Sequence, residues 1–95
     1  MTPDLILALG LLAADASQTT YIAQHPQQYQ EYNPILGQHP SRGKVAAYFL
    51  SAGAGLVVLN NVLPEKYARA LNVSTIALEA ACVGHNAHVG IKFSF

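Results

Sequence analysis

A chain of 95 residues, with 11% of them charged, 52% hydrophobic and a net charge of zero, has room for one domain. It holds too few charges to cover a small water-soluble surface, since about a quarter of the residues in an average soluble domain are charged. Its basic residues form no stripe, which excludes the counterion-displacing surface that a nucleic-acid partner requires.

The first expected element is a helix over residues 3–23. Pro3 suits a first helical turn, where its missing N–H would have no partner anyway, and Asp4 meets the positive end of the helix dipole. An apolar run from Leu5 to Ala14 follows. Asp15, Gln18 and Thr19 then interrupt it within one turn and share one face. The run followed by Ala14-Asp15-Ala16 has the outline of a secretory leader, but Asp4 stands where a leader carries Lys or Arg, so the segment is expected to be retained.

Residues 24–42 form a polar connection. Pro26, Pro34 and Pro40 hold the residues before them extended, and Asn33-Pro34 favours a turn. Tyr21, Tyr29 and Tyr32 suit the headgroup level of a bilayer. Ser41 is the expected N-cap of the next helix. A structured interfacial loop follows from this, with Glu31 and Asn33 reaching the polar interior; the alternative is a solvated Glu31 paired with Arg42. His25 and His39, each in a Gln-His-Pro run, read as turn residues.

The second expected helix, 43–63, contains no acid, and Pro64 stops it. Gly43, Ala47, Ser51 and Gly55 recur every four residues. In lipid, where apolar surface gives helices no drive to associate, such a small-residue face allows close backbone approach. It is the expected docking face for a neighbouring helix or a second copy.

The third helix, 65–90, begins at Pro64-Glu65. Asn72, Thr75, Glu79, Cys82 and Asn86 are spaced 3, 4, 3, 4 and therefore share a stripe. In water this would be a solvated face; in a bilayer it must turn inward, because an ionisable group facing lipid costs several kcal/mol. Packing it on the Asp15, Gln18, Thr19 face yields a polar seam with the two carboxylates facing each other. His85 and His88 are one turn apart but off the Glu79 stripe, so they join Asp15, Glu31 and Glu79 only as candidate metal ligands. No cofactor is expected, a divalent cation among these acids being the alternative.

The expected architecture is thus all-α: a three-helix transmembrane bundle with a structured polar loop between helices 1 and 2. A soluble three-helix bundle is its rival. The C-terminal "HVGIKFSF" alternates like the last strand of an outer-membrane barrel, but the rest of the chain lacks that alternation. Arg42 and Lys44 in one loop balance Lys66 and Arg69 in the other, with Lys92 near the end, so the positive-inside rule leaves the topology undecided. Cys82, the single cysteine, leaves the redox compartment unread.

The run "DASQT" in the first helix, followed by "EYNPILGQHPS" and a small-residue helix, resembles short uncharacterised integral membrane proteins of bacteria and their phages. The likeness covers Asp15 to Phe49 and extends to His85-Asn86. It implies a multi-pass inner-membrane location and no particular activity. Chain length, three spans and a small-residue face are also similar to three-span holins, although the short apolar tail departs from their charged C-termini. The preferred expectation is a non-enzymatic protein that self-associates or serves as an accessory subunit, with the lipid bilayer, a second copy or another membrane protein as partner. The alternatives are a membrane-embedded metal-dependent hydrolase using Asp15, Glu31 and Glu79, and proton or ion conduction along the Asp15–Glu79 seam.

Overall fold

The computed structural model describes residues 1–25 and 41–93, which form three helices: α1 (Pro3–Gln24), α2 (Arg42–Val62) and α3 (Glu65–His88). No strand occurs among the described residues. The calls on Glu31, Asn33 and the loop between the first two helices lie outside them.

Local chemistry sets each boundary. Thr2 caps α1, its hydroxyl accepting from the Leu5 N–H at 3.4 Å, with Pro3 in the first turn. Ser41 caps α2 by accepting from the Lys44 N–H at 3.1 Å. Ser41→Ala is therefore expected to lower stability by about 1 kcal/mol, measured as an earlier loss of far-UV helicity on heating. An unchanged melting profile would show that the cap contributes nothing. Pro64 separates α2 from α3. At the far end, the Gly90 N–H bonds to the Ala87 carbonyl at 3.2 Å and the Ile91 N–H to the Asn86 carbonyl at 2.9 Å. With Gly90 at φ 94°, this is a Schellman ending, which requires a left-handed residue that only glycine adopts cheaply. It folds the chain back and buries Ile91.

Helix α1 is central and packs on both others, while α2 and α3 touch each other sparingly. Two bonds fix the direction of α3: Asn72 reaches Asp4 and Asn86 reaches Gln18, both across 68 residues of sequence. A constant offset over two heptads means that α1 and α3 run parallel and in register. Helix α2 runs antiparallel to both, with Gly53 against Leu9 and the α2 C-terminus beside the start of α1.

The apolar core is formed by Leu5, Ala8 and Leu12 of α1 with Val45, Phe49 and Leu56 of α2. It is narrow, and several polar side chains are buried beside it while several large apolar ones are exposed. Gln18 and Thr19 are 0% exposed and Asn72 is 1% exposed, whereas Leu50 is 74%, Val62 67%, Leu78 64% and Val58 58% exposed. Helices α1 and α2 are each long and apolar enough to cross a membrane, and only 17% of the most apolar window of α2 is enclosed by the fold. Helix α3 falls short of that threshold, because the polar side chains of its seam stripe lie within the same turns as its apolar ones.

Candidate functional site: a two-ended polar seam and its flanking grooves

Hydrogen bonds join α1 to α3 at two levels. At the first, the Asn72 amide donates to Asp4 Oδ2 at 2.8 Å and to Asn60 Oδ1 at 2.8 Å, and accepts from Asn60 Nδ2 at 2.8 Å. Asn60 Nδ2 also donates to the Leu56 carbonyl at 2.8 Å. Both hydrogens of both amides are thereby used. The orientations are forced as well: each nitrogen must face a group that only accepts, the Asp4 carboxylate for Asn72 and a backbone carbonyl for Asn60. One residue from each helix meets here, so this cluster pins all three together.

At the second level, Gln18 donates from Nε2 to the Val83 carbonyl at 3.2 Å and accepts from Asn86 Nδ2 at 3.1 Å. Both ends of a fully enclosed amide are satisfied, which removes the desolvation penalty of burying it.

Between these levels the heptad positions are Leu11 on α1 and Glu79 on α3. The register therefore sets Glu79 opposite a leucine, with Asp15 about one helical turn, roughly 6 Å, further along the axis. Asp15 is half-buried and accepts from the Thr19 hydroxyl at 3.3 Å within its own helix. Glu79, also half-buried, lines an open groove of about 300 Å³ between α2 and α3, together with Thr75, Ser51 and Tyr48. Thr75 donates to the Leu71 carbonyl at 2.9 Å.

The expected seam residues Gln18, Asn72 and Asn86 thus make interhelical bonds, Thr19 and Thr75 bond within their own helices, and Asp15 and Glu79 are both half-buried. Asp4 and Asn60 are seam members that sequence reasoning missed. The signal for Asp4 was its heptad relation to Gln18, seven and fourteen residues being whole repeats. Asn60 carried no periodic signal.

The small-residue face of α2 does not pack inside the chain. Gly43, Ala47, Ser51 and Gly55 are all exposed, and a Cβ at Gly43 or Gly55 would meet nothing within 4 Å. The intramolecular contact uses Val45, Phe49 and Leu56 instead, because these larger side chains fill the space against α1. His85 and His88 are exposed on the last turns of α3. Among the described residues no group of three or more His, Cys, Asp or Glu side chains gathers as a metal site would require.

The fold and seam define a three-helix bundle with a small apolar core, buried hydrogen-bonded amides beside it, and several large apolar side chains exposed. No family model matches the chain, and no curated protein or solved structure matches it.

Proposed function

We propose that the chain is a small multi-pass inner-membrane protein without catalytic activity of its own, which self-associates through the small-residue face of α2 as a holin-like or accessory subunit. The observation that carries this reading is the exposure of Leu50, Val62, Leu78 and Val58 while Gln18, Thr19 and Asn72 are buried. Buried polar groups together with large exposed apolar surface are what a lipid setting accommodates. The helices, 22, 21 and 24 residues long, measure about 32–36 Å, enough to cross a ~30 Å hydrocarbon core. All three helices span in this reading. Helix α3 is admitted despite its polarity because its seam bonds on α1 satisfy the amides that lipid could not.

Self-association rests on Ser51 and Gly55, which stay uncovered and line the open α2–α3 groove. A second helix can approach there to backbone contact, as small residues permit in lipid. A Cβ added at Gly55 meets nothing within 4 Å, so Gly55→Leu starts from open space and is expected to leave the monomer folded. In the complex it overpacks the contact, at about 1–3 kcal/mol, or roughly tenfold in association. Sedimentation equilibrium in detergent is expected to show an oligomer for the wild type and a shift to monomer for this variant. A monomeric wild type would refute self-association, and an equally oligomeric variant would refute this face.

A further inference from the structure

A second groove, about 360 Å³, runs between α1 and α2 on the other side of the core, and almost everything that lines it is apolar. Leu9, Ala13 and Ala16 form one wall and Ala46, Leu50 and Gly53 the other. From Leu9 to Thr20 it follows α1 for eleven residues, about 16 Å. That is the depth of one leaflet, half of a ~30 Å hydrocarbon core. Its apolar lining along that length suits an extended hydrocarbon chain.

Among the described residues, Arg42 is the charged residue on the α2 stripe that continues beyond the groove. The groove begins near the middle of α2, at Gly53, and runs toward the α2 N-terminus. Arg42, Ala46, Leu50 and Gly53 are spaced 4, 4, 3 and share a stripe, so the exposed Arg42 stands one turn beyond the last α2 residue of the groove wall. Lys44 is 200° around the helix from Arg42 and belongs to a different face. A guanidinium at headgroup level above an apolar groove is the charge arrangement that a phosphodiester with an acyl chain complements, and Arg makes paired bonds to phosphate oxygens.

We infer that the α1–α2 groove holds one acyl chain of an anionic phospholipid whose phosphate is bound by Arg42. This rests on the membrane reading above and adds a specific ligand to it. The test uses full-length protein in vesicles of phosphatidylcholine containing phosphatidylglycerol, extracted in detergent, with phospholipid retained per chain measured by native mass spectrometry. The wild type and Lys44→Gln are expected to retain phosphatidylglycerol over phosphatidylcholine by about fivefold, the effect of one cation at an anionic headgroup. Arg42→Gln is expected to retain the two equally. Ala13→Leu, which fills the slot from an exposed position, is expected to retain less of either lipid. A wild type without preference, an Arg42→Gln variant that keeps it, or an Ala13→Leu variant with undiminished lipid would each overturn the inference. An alkaline wash of the same membranes separates the two readings. Protein that stays in the pellet without lipid preference overturns this inference alone, and wild type released into the supernatant overturns the membrane reading as well.

Discussion

Replacing Asn72 with leucine should destabilise the bundle by about 2 kcal/mol. Asn72 takes part in three side-chain hydrogen bonds, and such bonds between helices in lipid are worth about 0.6 kcal/mol each on average. The same substitution removes both of Asn60's bonds to α3 and leaves it the one to the Leu56 carbonyl. Asn61→Leu is the matched control, because Asn61 is exposed and bonds only to the Val57 carbonyl of its own helix; it should stay within about 0.5 kcal/mol of the wild type. Denaturant titration followed by far-UV dichroism measures both. Equal midpoints for the two variants would mean that the three-helix pin contributes nothing to stability.

Ala54→Asp should abolish insertion of α2. Ala54 lies near the middle of α2, exposed, on the side opposite the buried Val45, Phe49 and Leu56 stripe. An aspartate at the centre of a spanning helix costs about 3 kcal/mol on insertion scales, which shifts a two-state partition by more than a hundredfold. In a soluble bundle the same exposed substitution changes stability by about 0.5 kcal/mol or less. The gap between those outcomes makes this the sharper test of environment. The fraction of chain resisting an alkaline wash should fall steeply for Ala54→Asp. A variant that is as abundant and as well folded in aqueous buffer as the wild type would end the membrane reading.

The two effects follow from one arrangement. In the proposed membrane setting, apolar faces give helices no drive to associate, so amide bonds and close packing would hold them together. The Asn72 cluster and the Gln18 bonds join the helices within the chain, and the Ser51–Gly55 face is exposed.

Helix positions were legible in the residues because their signals are local. Pro3, Ser41 and Pro64 mark the starts and Gly90 marks the last stop, and each acts through the φ angle or hydrogen bond of its own turn. The stripe of Asn72, Glu79 and Asn86 was legible for the same reason, since helical periodicity alone puts those side chains on one face. The register across the seam was not, because the 4–72 and 18–86 contacts that set it lie between residues far apart in sequence. Asp4 read as a helix-dipole residue because nothing nearby in sequence reveals that Asn72 and Asn60 converge on it.

By itself the sequence determined three helices, the Ser41 cap, the scarcity of charge and the polar stripe on the third. Only the tertiary structure decided which face of α2 turns inward. Two stripes competed, the small residues at 43, 47, 51 and 55 and the larger ones at 45, 49 and 56. Filling the space against α1 favours the larger, since dispersion contacts grow with side-chain size. That choice leaves the small-residue face outside and opens a groove on either side of α2, neither of which any local pattern could announce, because a groove exists only between elements.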